Sequence, residues 1–395
     1  MNFYSLLGVP CSARILAGFL LTGFLTACPG AFLPVWGYHI QTDYMTIGSF
    51  FLFFSLGLIG SVEATRRLRV LAPYRQQLWI GCPMACAALL WLAFLPAAIP
   101  GVWRTAGFLL LGAATGLINT AVFARLAALC ERNAAATATL AGVLFGLGSF
   151  LSVALVANRF YGDSSTGVLS FSALVPAVFT GVYARGSFPA PSLIGSATIS
   201  EALGEFRNPS AILLGLLMLF QLGNQLAFGG WLPLFLIHRV GISPEASLRL
   251  LAAFWLVLVA SQVAAFRLIR NRVSGRTLFL TAWAGLFGCL ILLTTDNRFG
   301  AWTGIFLIAG GFAALSPLIV ERILDCFPDY HPGFFGGVFA FALAGGMLFP
   351  AAVGFLADSL GIWAVAGLPL CGTAAVFTIL LVMWFQKKFT ERRLS

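Results

Sequence analysis

Twelve apolar runs of bilayer length follow one another along this chain and leave almost nothing over. They fall at roughly 14–37, 44–62, 77–96, 105–129, 136–157 and 166–184, then at 209–237, 246–269, 277–295, 301–324, 334–357 and 362–385. A helix needs about 20 apolar residues to cross the hydrocarbon core, so twelve crossings consume nearly all of the 395 residues. Only 9% of the residues are charged, against about 25% in soluble domains. Too few charges exist to cover a water-facing surface. The 14% aromatic content excludes disorder. The expectation is an all-α integral membrane protein with twelve transmembrane helices.

The net charge of +10 reads as topology, not as nucleic-acid binding. With both termini in the cytoplasm, 18 of the 23 Lys and Arg fall on inner segments. Five fall outside: Arg104, Arg159, Arg239, Arg249 and Arg298. That asymmetry follows the positive-inside rule and an odd number of spans would spoil it. The expected location is a bacterial cytoplasmic membrane, multi-pass. A rival reading exists at the N-terminus. Leu25-Thr26-Ala27-Cys28 has the form of a lipoprotein cleavage site, but cleavage would leave eleven spans.

The chain repeats itself at about 200 residues. Gly30-Ala31-Phe32-Leu33-Pro34 in span 1 pairs with Gly229-Gly230-Trp231-Leu232-Pro233 in span 7. Val62, Arg66 and Arg69 pair with Val263, Arg267 and Arg270, and Ala124-Arg125 pairs with Glu321-Arg322. The expected domains are a six-helix half over 1–184, a cytoplasmic linker over 185–208, and a second six-helix half over 209–395. Two parallel six-helix repeats suit a transporter with its site between them.

Span 11 carries Gly345-Gly346, Pro350 and Gly354 and closes on Ala357-Asp358; Gly361 and Pro369 follow it. The loop after span 8 reads Arg270-Asn271-Arg272-Val273-Ser274-Gly275-Arg276. Both resemble motifs of the major facilitator superfamily, and the resemblance covers essentially the whole chain. Within it, Gly223 and Trp231-Leu232-Pro233 in span 7, Phe254-Trp255 in span 8 and the GLINTAVFA segment of span 4 resemble the sugar permease branch of fucose, glucose and galactose permeases. The resemblance implies the major facilitator fold and secondary transport of a sugar-like solute. It also implies gating by the basic loops, through Arg66, Arg67, Arg267, Arg270, Arg272, Gly275 and Arg276. The chain departs from that branch in its charges. Gln225 and Asn119 stand where Glu is usual, and Ser261-Gln262 replaces a Gly-Arg pair.

Polar groups in hydrocarbon are costly unless partnered. The candidate solute-binding residues are therefore the mid-span ones: Asn119, Gln221, Asn224, Gln225, Gln262 and Ser316. Amides and hydroxyls both donate and accept, which suits a polyhydroxylated ligand. Trp231 and Trp255 could stack on a sugar ring. The bland alternative for each is a hydrogen bond between helices. Thr22 and Thr26 read as bonded to their own helix backbone. All thirteen acids lie in loops or at span ends, so the expectation is transport without obligatory proton coupling. The expected partners are a small-molecule solute and the lipid bilayer, with no nucleic acid, no metal, no cofactor, and a monomeric chain. An exporter of drugs or metabolites is the alternative within the fold. A multispanning enzyme or a non-transporting sensor is the alternative of another class; neither catalytic clusters nor a nucleotide-binding glycine loop accompany the spans.

Overall fold

A computed structural model describes residues 10–68, 74–96, 99–185, 209–269, 275–326 and 332–394. The expected linker, 185–208, lies outside these but for Arg185. The described residues are helical almost throughout. The helices are α1 (Pro10–Val35), α2 (Tyr44–Arg67), α3 (Tyr74–Ala93), α4 (Gly101–Arg159), α5 (Ser165–Ala184), α6 (Pro209–Val240), α7 (Pro244–Ile269), α8 (Gly275–Thr294), α9 (Arg298–Cys326), α10 (Pro332–Leu360) and α11 (Ala364–Leu394). Eleven apolar stretches among them are long enough to cross a membrane. The last, Ala340–Phe385, contains parts of both α10 and α11 and is broken at Gly361, whose φ of +68° only glycine takes easily. It therefore makes two crossings, so the twelve expected spans are present.

One helix differs from expectation. Residues 101–159 form a single 59-residue helix instead of two. Straight, it would measure roughly 90 Å. Yet Ile118 and Val122 lie against Gly18, while Phe145 and Gly148 lie against Gly23 and Leu20. Residues on either side of 124–138 thus meet the same two turns of α1, so this helical run carries two crossings, Gly101–Phe123 and Thr139–Arg159.

Local chemistry sets the helix ends on the face that carries residues 36–43, 94–96, 99–100, 160–164, 241–243 and 295–297. This is the face expected outside. Asp43 caps α2 by accepting from the Thr46 amide at 3.0 Å. Ser164 caps α5 through the Gly167 amide at 3.2 Å, and Asn297 caps α9 through the Gly300 amide at 2.7 Å. Each satisfies an orphan N–H of the first turn. Pro244 starts α7, where a missing N–H costs nothing.

Helices in lipid gain no hydrophobic advantage from touching, so close contact between backbones must hold them together. Glycines supply it here. A Cβ at Gly23 of α1 would overlap the Phe145 carbonyl of α4, and one at Gly148 would overlap the Leu20 carbonyl. Ser149 adds a hydrogen bond to the Gly23 carbonyl at 3.1 Å. About 200 residues on, Gly223 of α6 meets Phe349 and Gly345 of α10, and Gly345 meets the Leu219 carbonyl. The same crossing is therefore built twice, at the repeat spacing read from the sequence. Gly57 and Gly112 make a further reciprocal contact between α2 and α4.

These contacts give a prediction about stability. Gly148→Val should destabilise by about 1–3 kcal/mol, the usual cost of overpacking, and lower the melting temperature in detergent. Gly60→Ala, at a glycine with open space around it, should leave the melting temperature unchanged.

Candidate functional site

Among the described residues, the helices before and after the linker meet chiefly along three seams, with a further contact between α4 and α9. On the outer side α1 meets α6: Gly30 sits so close to Gly229 and Gly230 that a Cβ would lie 2.5 Å from the Gly229 carbonyl oxygen. Beside it α2 meets α10, where Gly48 and Gly354 touch backbone to backbone and Ser55 donates to the Met347 carbonyl at 3.4 Å. The third seam joins the second crossing of α4 to α7. There Gly142 faces Gln262, Gly146 faces Val259, and the Phe145 ring lies 6.1 Å from Trp255, edge to face. In this arrangement the face expected outside is shut by backbone contact.

The candidate polar residues divide by what they touch. Gln221 is buried and donates to the Phe312 carbonyl of α9 at 2.6 Å. Asn224 is fully buried and donates to Thr373 of α11 at 3.2 Å. Thr373 in turn donates to the Pro369 carbonyl at 2.7 Å. Asn224 also fits a space that only glycine leaves at position 372. These two amides tie α6 to α9 and α11. Their carbonyl oxygens, Gln221 Oε1 and Asn224 Oδ1, stay without a partner.

Gln225 and Asn119 behave differently. Gln225 is 5% exposed, and neither side chain makes a hydrogen bond to any described residue. Asn119 is half-buried, on the α4 surface between Ile118 and Phe123, which meet Gly18 and Phe19 of α1. Gln262, 5% exposed, has its Oε1 buried and unpartnered at the α4–α7 seam. Trp255 is buried with an unpartnered indole N–H, beside Gly229. Trp231 is fully buried and donates to the Pro350 carbonyl at 2.8 Å. Its ring packs against Phe51 and Tyr44 of α2, so it fills the outer seam. Thr22 and Thr26 bond backward to the carbonyls of Phe19 and Thr22, at 3.0 and 2.7 Å.

Of the expected gating residues, Arg67 pairs with Glu63 on its own helix at 2.5 Å and is exposed. Such an i, i+4 pair contributes little. Arg267 is exposed at the end of α7. Arg270 and Arg272 lie outside the described residues, as do the side chains of Arg66, Arg276 and Ser316 and those of the repeat pair at 125 and 322. Gly275 starts α8. Cys28, the last residue of the cleavage-like tetrapeptide, is buried inside α1 beside Ser152 at 3.5 Å.

The structure brings forward residues that the sequence reading passed over. Arg104 is buried at the start of α4. It donates to the Tyr38 hydroxyl at 3.0 Å and lies 5.4 Å over the Trp36 ring. Arg239 pairs with Asp296 and lies 4.3 Å over Trp363. Arg159 pairs with Asp163 and Arg249 with Glu245. So four of the five basic residues assigned outside have acidic or aromatic partners of their own. Their minority status in the charge count was the signal that could have found them.

No family model matches the chain, and no curated protein matches it. Solved structures do. The Escherichia coli fucose:proton symporter FucP superposes with a TM-score of 0.62 at 15% identity, covering 95% of this chain and 98% of that one. A second FucP structure, described as a major facilitator superfamily transporter in the outward conformation, gives 0.61 at 16% identity, with coverage of 95% and 98%. The nucleoside transporter NupG gives 0.66 at 13% identity, covering 94% of this chain and 98% of that one. The chain has the major facilitator fold.

Two predictions follow from the division of the amides. Asn224→Ala should lower the melting temperature, since it breaks an interhelical bond worth about 0.6–2 kcal/mol; Gln225→Ala and Asn119→Ala should not. Gly354→Val should block contact at the outer α2–α10 seam, and a distance measurement across that face should record its widening.

Proposed function

We propose that this chain, a multi-pass membrane protein with the major facilitator fold, is a secondary transporter. It moves a small polar solute, a sugar or sugar-like compound, across a bacterial cytoplasmic membrane by alternating access. Its termini face the cytoplasm, and the helices up to 184 and from 209 rock as two halves. The observation that carries this reading is the contrast among the amides. Gln221 and Asn224 are bonded to neighbouring helices. Asn119 and Gln225, one on each side of the linker, hold unused donors and acceptors inside membrane spans. In hydrocarbon such capacity is expensive to maintain, and a hydroxyl-rich solute would use it.

In the outer-closed arrangement the solute would face inward. Asn119 on α4 and Gln225 on α6 would contact it from the two halves. Trp255 would offer its free indole N–H, and Gln262 its free carbonyl. Gln221, Asn224 and Trp231 would act as the frame that fixes α6. The neighbours FucP and NupG, a fucose:proton symporter and a nucleoside transporter by description, support a hydroxylated solute. Proton coupling needs a group that titrates while facing each side in turn. The acids of this chain sit at span ends, which favours transport without obligatory proton movement.

A thermal-shift screen of the purified protein against monosaccharides, nucleosides and organic acids tests the reading. A sugar or nucleoside should raise the melting temperature. Asn119→Ala and Gln225→Ala should each weaken that ligand about tenfold, equivalent to about 1.4 kcal/mol. No shift with any hydroxylated solute would turn the assignment toward an exporter. Solute-dependent proton uptake in proteoliposomes would overturn the uncoupled mechanism.

A further inference from the structure

α1 runs through the interior of the bundle, and its burial has one break. From Leu21 to Pro34 every residue is buried except Thr26. A helix that borders lipid exposes a whole stripe of positions, three and four residues apart. A single exposed position inside a buried stretch marks an opening within the protein. Thr26 belongs to the stripe Phe19, Gly23, Thr26 and Gly30, spaced by four, three and four residues along one face. The other members meet neighbouring helices. The Phe19 ring lies 5.3 Å from Phe123 in the first crossing of α4. Gly23 meets the Phe145 carbonyl in the second crossing, and Gly30 meets Gly229 and Gly230 of α6. Thr26 makes no hydrogen bond outside α1 among the described residues.

The walls around Thr26 close into a ring. The Trp255 ring of α7 lies against Gly229, where a Cβ would come 2.7 Å from Trp255 Cζ2, and against Phe145, at 6.1 Å between ring centroids. Contacts thus run from Gly23 to Phe145, to Trp255, to Gly229 and back to Gly30. Gly23 and Gly30 are seven residues apart, about 10 Å along α1, and Thr26 sits between them. Gln225 stands one turn before Gly229 on α6, as Thr26 stands one turn before Gly30 on α1. Two polar groups of the ring have capacity left. Trp255 has a buried indole N–H without a partner. Thr26 donates its hydroxyl proton to the Thr22 carbonyl at 2.7 Å. A hydroxyl has one proton and two lone pairs, so Thr26 is left as an acceptor held in place by its own helix.

We propose, resting on the solute-binding reading of Asn119 and Gln225 above, that Thr26 and Trp255 form a further subsite of the same pocket. Thr26 accepts a hydrogen bond from a solute hydroxyl, and Trp255 donates one to a solute oxygen. Thr26 thereby acts as a recognition residue, and its bond to α1 sets its polarity. Its proton is spent, so it favours a solute group that carries one. A hydroxyl fits. A fluorine or a methoxy oxygen at the same place brings no proton and sets lone pairs against lone pairs. A site built to hydrogen-bond a hydroxyl rejects analogues that lack it. Thr22, one turn away, makes the same kind of bond to its helix but is fully buried. With no opening beside it, Thr22 takes no part.

Thiol labelling and solute binding in lipid nanodiscs test this. Thr26→Cys should react with a permanently charged methanethiosulfonate at least tenfold faster than Leu25→Cys or Ala27→Cys, whose positions are buried. Mass spectrometry of the labelled peptides separates these sites from the native cysteines. Equal rates at the three positions would overturn the opening. Binding is read by thermal shift with fucose, glucose, galactose and adenosine as probes. A probe that stabilises the wild type should slow the labelling of Thr26→Cys. Thr26→Val should weaken that probe about tenfold and Thr26→Ser less than threefold; Thr26→Ala replaces the valine variant if that fails to fold. Exchanging the probe's hydroxyls for fluorine one at a time should identify one position that weakens wild-type binding and leaves Thr26→Val binding unchanged. If Thr26→Val binds the probe as the wild type does, or loses affinity alike for every derivative, the subsite fails and the transport reading stands. If no probe stabilises the wild type, both fail.

Discussion

Backbone contact through glycine is what this bundle depends on. In hydrocarbon, apolar side chains gain nothing by leaving lipid for protein. Cohesion must come from surfaces that fit closely and from hydrogen bonds across them. Gly23 against the Phe145 carbonyl, Gly148 against the Leu20 carbonyl and Gly345 against the Leu219 carbonyl are such surfaces. Each allows two helix backbones to approach where any side chain would intrude. These crossings fix α1 to α4 and α6 to α10, and the remaining helices pack around them.

The same device recurs where helices before residue 185 meet helices after residue 208, with a different consequence. Gly30 against Gly229 and Gly230, and Gly48 against Gly354, close the face expected outside mainly by van der Waals contact. A seam made of van der Waals contact can open and reclose at little cost. The crossings inside each group are reinforced by Ser149 and by the Asn224–Thr373 bond. The seams between groups carry fewer polar links. They are the Thr42–His238 contact at 2.8 Å and the Ser55–Met347 hydrogen bond at 3.4 Å among the described residues.

Much of the architecture was legible in the residues. The apolar runs specify twelve crossings because hydrocarbon admits only helices whose backbone is satisfied internally. The 200-residue offset between Gly30 and Gly229 reappears as two copies of one helix crossing. The back-bonding of Thr22 and Thr26 followed from their side chains alone, since a hydroxyl one turn from a carbonyl has a partner within reach. The candidate site was only partly legible. Gln221, Asn224 and Gln225 share one stretch of α6 and the same chemistry. Helical spacing placed them together, yet Gln225 is turned about 40° from Gln221 and about 100° from Asn224 around α6, enough to give it other neighbours. Gln221 and Asn224 meet Phe312 and Thr373, which lie 91 and 149 residues away. Nothing local announces such partners.

The sequence by itself determined that this chain is a multi-pass membrane protein, where its spans lie, how they repeat, and which faces its basic residues favour. Those properties follow from solvation, which acts residue by residue. Tertiary structure decided which amides are spent on packing and which remain free. It decided that the helical run 101–159 makes two crossings, and that Gly30 meets Gly229 and Gly230. Those properties depend on contacts between residues distant in the chain, and only the packed bundle sets these distances.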